Sequence, residues 1–330
     1  MNGDLSVEAV EFGAVVRQSI EAAGGVDVLR RCAADPAGRT EAGAVLDRLG
    51  LWDLRPLDGP LELEVAAVAS RAAGAFAFPY PVVERLVGNG GAVALVAEHG
   101  PRVVMHLDLP LEWRGVDLRG RQYRVGPASP DPLGTPLAPF GVEALAEPED
   151  GHEVRLAAVA ITLHVWWLLG LLETALADTV RYTQERVQFG RPIARFQATG
   201  FRLADMTLAV NGLEELAKYT LWSLAHEEDR AGALVDALGL RVAALDAAET
   251  VLRGAHQLHG AMGFTNEVNV SWLSRASQSV RRLPEDRQRS LATLLDLVET
   301  AGFAELGRPG TARNLAVRPR VASGQRTVAI

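Results

Sequence analysis

The chain has 330 residues, 48% hydrophobic and 22% charged, enough for two domains or one large helical unit with a small insert and a sizeable core. A formal net charge of −8 and the absence of any basic cluster interleaved with aromatics argue against nucleic acid as a partner, and Arg281-Arg282 is too short a run to alter that. The single cysteine, Cys32, excludes intrachain disulfides and cysteine-based metal sites, fits a reducing compartment and reads as a small buried side chain.

Residues 1–20 carry Asp4, Glu8 and Glu11 where a signal peptide has a basic start and an apolar centre, so a cytoplasmic location is expected. Residues 1–90 read as an N-terminal helical domain, with apolar residues at 3–4 spacing over Val7–Ala22, Glu41–Leu49 and Leu61–Ala73. Residues 91–150 change character: Ala92–Ala97 and Arg102–Leu107 read as short strands, and five prolines from Pro127 to Pro139 mark a loop.

Residues 151–305 read as a C-terminal antiparallel helical bundle, with periodicity over His152–Gln188, Phe196–Glu228, Ala231–Leu258 and Glu285–Thr300. The apolar run Leu156–Leu172 contains Thr162 and His164 and falls short of the ~20 residues that span a bilayer. It reads as a buried bundle helix, with His164, Trp166 and Trp167 as core or interface residues. Residues 306–330 lack periodicity and read as an extended or disordered tail.

Two breaks in the bundle concentrate chemistry. Pro192 lacks a backbone N–H and disfavours helix at Arg191, so the preceding helix is expected to end near Gly190. An arginine there either complements the helix dipole or presents its planar fork to a pyrophosphate. At the second break, Gly260, Ala261 and Gly263 follow a helical segment and either cap it or let a ligand approach the backbone closely.

The stretch RYTQERVQFGRPIARFQATGFRLADM, Arg181–Met206, resembles a signature of the acyl-CoA dehydrogenases through Tyr182, Glu185-Arg186, Gln188-Phe189-Gly190, Pro192-Ile193, Phe196-Gln197 and Leu203–Met206. Gln257-Leu258-His259-Gly260-Ala261-Met262-Gly263-Phe264-Thr265 is similar to the family's Q-x-H-G-G-x-G-Y-T, with Ala261 replacing its second glycine. The resemblance implies a mainly α fold with an N-terminal helical domain, a β middle region and a C-terminal four-helix bundle. It implies FAD as cofactor, with Arg186 on the FAD of a neighbouring subunit. Gln188, Phe189, Phe196 and Gln197 would line the same nucleotide, and Gln257, Gly260 and Ala261 would touch its adenine end.

Desaturating a thioester needs a carboxylate for the α-proton and a flavin for the β-hydride. The family places that glutamate at one of two positions, which here fall on Pro284 and on or near Ala160. Neither is acidic. Glu285 is the fallback base, although Pro284 followed by Glu285-Asp286 also reads as an ordinary helix start. Glu185 and Glu267 read as structural.

The sixty residues from 91 to 150 fall well short of the family's β-barrel and lack its Thr-Glu-Pro-like segment and flavin-walling tryptophan strand. The chain therefore resembles the short, base-lacking subunit of bacterial two-subunit, steroid-type acyl-CoA dehydrogenases. That implies a partner subunit of the same fold in a heterodimer or α2β2 heterotetramer, an acyl-CoA substrate, and an electron-accepting flavoprotein, with no membrane involvement. The alternatives are a homomeric dehydrogenase using Glu285 and an inactive scaffold subunit.

Overall fold

A computed structural model describes residues 4–99, 102–128, 140–226 and 230–301. The proposed tail and most of the proline-rich loop lie outside these residues.

The N-terminal region folds as α1 (Val7–Ala22), α2 (Val26–Ala34), α3 (Arg39–Asp47), α4 (Pro60–Gly74) and α5 (Val82–Val87). Ser6 caps α1 by accepting the Ala9 N–H at 3.3 Å, and Pro60 opens α4 where its missing N–H costs nothing. Five strands follow: β1 (Ala92–Leu95), β2 (Arg102–Met105), β3 (Trp113–Val116), β4 (Arg121–Ala128) and β5 (Gly141–His152). They form one sheet in the order β1-β3-β4-β5-β2, antiparallel except for the β1–β3 pair.

The bundle comprises α6 (Val154–Glu185), α7 (Gln197–His226), α8 (Arg230–His259), α9 (Asn269–Arg282) and α10 (Arg287–Ala301). A two-stranded hairpin, β6 (Val187–Gln188) and β7 (Arg191–Pro192), joins α6 to α7. The chain thus has the expected mainly α architecture with a small sheet between two helical regions.

Helix α6 is the axis of the molecule, packing against α4, α7, α8 and α9. It is long and apolar enough to cross a membrane, yet 89% of its most apolar window is buried inside the protein. Where α4 crosses α6, two glycines let the backbones meet. A Cβ on Gly74 would lie 1.7 Å from the Trp167 carbonyl oxygen, and one on Gly170 would lie 1.9 Å from that of Arg71. Arg71 fastens the same crossing by pairing with Glu173 on α6 and Glu214 on α7. Gly170→Ala is therefore expected to cost about 1–3 kcal/mol through forced separation of the helices. Gly212→Ala, in open space on α7, gains up to ~1 kcal/mol from helix propensity. Urea midpoints of the two variants check the contrast.

The sequence-based reading is corrected in three places. Helix α6 ends at Glu185 rather than near Gly190, because Phe189 (φ 52°) and Gly190 (φ 77°) form a left-handed two-residue turn that closes the β6–β7 hairpin. Helix α9 escaped the periodicity reading because serines occupy core positions beside Val270, Leu273 and Val280. Ser271 and Ser277 are buried, and the Ser277 hydroxyl donates to the Ser274 carbonyl at 2.7 Å. The short helices α2 and α5 and the strands β3, β4 and β5 also went unread.

Candidate cofactor-contact surface

The hairpin displays the first signature block. Arg186 ends α6: its N–H donates to the Tyr182 carbonyl and its own carbonyl accepts from the Ile193 N–H, both at 2.8 Å. The Arg186 side chain is exposed and has no carboxylate partner among the described residues. Phe189, at the tip, is 93% exposed and meets the Phe196 ring edge-on at 6.2 Å. Arg191 lies over the Phe196 ring at 4.3 Å. Gln188 and Gln197 are exposed, so Arg186, Gln188, Phe189, Phe196 and Gln197 share one open surface around the hairpin and the start of α7.

The second block lies at the end of α8. Gly260 turns left-handed (φ 59°) with nothing within 4 Å of where a Cβ would stand, and a 3-10 turn runs to Phe264. Gln257, Gly260 and Ala261 are all exposed. A ring stack ties this turn to the hairpin: Tyr182, one turn before Arg186, lies 4.3 Å from His259, with ring planes 19° apart. The Tyr182 hydroxyl donates to the His259 carbonyl at 3.4 Å, and His259 Nδ1 bonds the Ala255 carbonyl at 2.9 Å. All eight contact residues named from the sequence are therefore solvent-accessible or half-buried, on two loops fixed to each other.

The positions expected to hold a base contain none. Ala160 is fully buried in α6, and Pro284 is buried after α9. Glu285 lies in the turn between α9 and α10, where its backbone carbonyl accepts from the buried Arg241 at 2.8 Å.

Sequence reasoning missed a carboxylate. Glu84 on α5 reaches His164 on α6, Oε1 to Nε2 at 3.3 Å, while His164 Nδ1 bonds the Ala160 carbonyl at 2.8 Å. Burial alone would raise the Glu84 carboxyl, but the bond and charge of His164 outweigh it and hold the group below its usual range. The only clue was an acid inside the apolar run PVVERLV. Glu84, His106 and His164 line a pocket of about 80 Å³ together with Tyr80, Trp167 and Leu283.

Burial pushes His106 down to about 4, against the pull of Glu84 and Asp108 and assisted by Arg39. The unfolded chain takes up this proton near pH 6.5 and the folded chain only near 4, so stability falls as pH drops through that window. Above pH 6.5 the group has no effect. His106→Asn, which tolerates the left-handed backbone at this position (φ 61°), is expected to flatten that part of the slope. Urea midpoints at pH 7 and 4.5 read it.

The profile of the family "Acyl-CoA dehydrogenase, C-terminal domain" matches residues 159–283. The short-chain specific acyl-CoA dehydrogenase of Megasphaera elsdenii is 35% identical over 123 residues, which is 37% of this chain and 29% of that enzyme's length. Over the whole fold, the chain resembles a chain of the ChsE4-ChsE5 complex from Mycobacterium tuberculosis with a TM-score of 0.70 and 17% identity, covering 91% of this chain and 99% of that one. It also resembles the Tcur3481-Tcur3483 steroid ACAD G363A variant, with a TM-score of 0.71 and 19% identity, covering 88% and 98%.

Proposed function

Starting from a chain with the acyl-CoA dehydrogenase fold whose residues 159–283 are that family's C-terminal domain, we propose that it is one subunit of an FAD-dependent acyl-CoA dehydrogenase. In this reading it contributes part of an FAD site at the interface with a second, catalytic subunit. The observation that carries the proposal is the open signature surface, with an exposed Arg186 guanidinium that meets no carboxylate among the described residues and a Phe189 ring left 93% exposed. Val187, Phe201 and Leu208 are likewise exposed, adding apolar area of the kind that partners cover.

These residues fit a dinucleotide. Arg186 offers a planar fork for a pyrophosphate, Phe189 and Phe196 offer ring faces, and Gln188, Gln197 and Gln257 offer amides. The backbone at Gly260 and Ala261 is open to close approach. When bound, FAD supplies the ring that accepts a hydride from the acyl β-carbon. This chain's part is to bind and orient the nucleotide. The α-proton goes to a carboxylate of the partner, because Ala160 and Pro284 provide none.

The two-subunit arrangement and a steroid-derived acyl group are supported by analogy with the ChsE4-ChsE5 complex and the steroid ACAD, and by the vacant base positions. Glu285→Gln separates this reading from a homomeric enzyme. Turnover of the assembled complex is expected to stay within about twofold of wild type, the scale of a small free-energy change. Loss of turnover with flavin still bound places the base on this chain. Omitting the chain distinguishes a contributing subunit from a scaffold: the partner alone is expected to lose its flavin.

A further inference from the structure

The pocket of about 80 Å³ lies where the N-terminal helices, the sheet and the bundle meet, walled by Val83 on α5, Leu95 on β1, Met105 on β2, Trp167 on α6 and Val280 on α9. None of its lining residues is a candidate FAD contact. Met105, Trp167, Ser279 and Leu283 are only half-buried, so the pocket can be reached from solvent. At ~30 Å³ per water, it has room for about two to three waters or one compact organic molecule.

One polar group in this pocket is unexplained. His106 follows β2, is 8% exposed and is held in place three ways. Its ring stacks on Phe140 at 5.1 Å with planes 26° apart, its backbone is left-handed (φ 61°), and its Nδ1 lies 3.2 Å from a terminal nitrogen of Arg39. A guanidinium only donates, so Nδ1 accepts and the ring proton of the neutral imidazole sits on Nε2. That N–H has no acceptor among the described residues. A donor buried without a partner is costly, and the pocket that His106 lines is where an acceptor can reach it.

The surroundings of His106 select the occupant. An anion fits poorly, because Arg39 is already paired with Asp108 and the Glu84 carboxylate lines the same pocket. An ammonium offers no acceptor to His106, and a wholly apolar molecule leaves the N–H bare. A small neutral amide meets both polar groups. It carries its acceptor and its donor on two different atoms, so it can bridge His106 at the end of β2 and Glu84 on α5.

We infer that this pocket binds a small neutral amide, whose carbonyl accepts the His106 Nε2–H, whose N–H donates to Glu84, and whose alkyl part rests on Val83, Trp167 and Val280. The inference uses no residue of the FAD surface and stands or falls independently of the function proposed above.

The test is titration of the full chain with acetamide at neutral pH, followed in the nitrogen–proton correlation spectrum of the histidine rings. The expected result is an Nε2–H tautomer for His106 and a saturable movement of its signal. Acetone keeps the carbonyl but lacks the N–H, and acetate has the same shape with a charge. Acetone is expected to bind several-fold more weakly than acetamide, and acetate about tenfold more weakly or not at all. Ser279→Leu fills the rim of the pocket, and the lost hydroxyl served only the Ala276 carbonyl of its own helix. It is expected to weaken acetamide about tenfold with the His106 tautomer unchanged. If Ser279→Leu fails to fold, the ranking of the three ligands on the wild-type chain decides alone. No saturable movement with acetamide overturns the inference and leaves the pocket to water. Equal binding of the three ligands overturns it too, as does a His106 proton on Nδ1 or acetamide binding that a folded Ser279→Leu leaves untouched.

Discussion

Arg241→Met is expected to lower the unfolding free energy by about 3–5 kcal/mol, because it leaves three carbonyls and a buried hydroxyl without their donor. Arg241 on α8 is 1% exposed and has no carboxylate partner among the described residues. Its guanidinium donates to the carbonyls of Val280 (3.3 Å), Leu283 (2.9 Å) and Glu285 (2.8 Å), and its Nε to the Ser290 hydroxyl (3.1 Å). Burial pulls the group down to about 10, with Glu285 pulling the other way, so it remains charged at neutral pH.

These four bonds satisfy the last carbonyls of α9, the turn after it and a side chain of α10. A methionine fills most of the volume but leaves the carbonyls without donors, and each buried unsatisfied group costs about 1–3 kcal/mol. Arg241→Lys is expected to recover only part, since one ammonium cannot reach four acceptors spread around a planar fork. Urea denaturation with an unchanged m-value is the check. A loss below about 1 kcal/mol means that water or a shifted turn replaces the guanidinium.

The second large effect concerns Arg186. In the assembled complex, Arg186→Ala is expected to weaken FAD retention about ten- to a hundredfold, the equivalent of losing a charge-assisted bond of about 1.5–3 kcal/mol. Arg186→Lys rescues only part, because an ammonium is a point charge rather than a fork. Flavin released on dialysis, read by absorbance, gives the ratio. Because the side chain is exposed and meets no carboxylate among the described residues, folding stability is expected to be unchanged. Full flavin occupancy in an assembled Arg186→Ala complex makes the residue no more than a charge at a helix end.

Much of this was legible in the sequence because both parts of the signature are local. The 3–4 spacing of apolar residues located α1, α3, α4, α6, α7, α8 and α10 to within a few residues. The Gly-Arg-Pro break and the Gly260 turn marked the loops that bear the candidate contacts.

What was missed depends on tertiary context. Strand β3 is four residues long and includes Gly115, and its pairing with Arg121–Ala128 is set by the sheet rather than by local alternation. Helix α9 buries Ser271 and Ser277 among its apolar positions, the Ser277 hydroxyl donating to the Ser274 carbonyl, and these serines hide its apolar stripe. Glu84 went unread because its partner His164 lies 80 positions away and only the packing of α5 on α6 brings the two together. The stack of Tyr182 on His259 joins two blocks that the sequence separates by 77 residues, and only the fold shows that one surface displays both.

The central claim is that this chain completes a flavin site only in company. The direct measurement is the visible spectrum of the chain purified alone and after co-expression with a second acyl-CoA dehydrogenase-like chain. The expected result is colourless protein alone, and flavin absorbance with acyl-CoA-dependent bleaching in the pair. A yellow chain that oxidises acyl-CoA by itself contradicts the account.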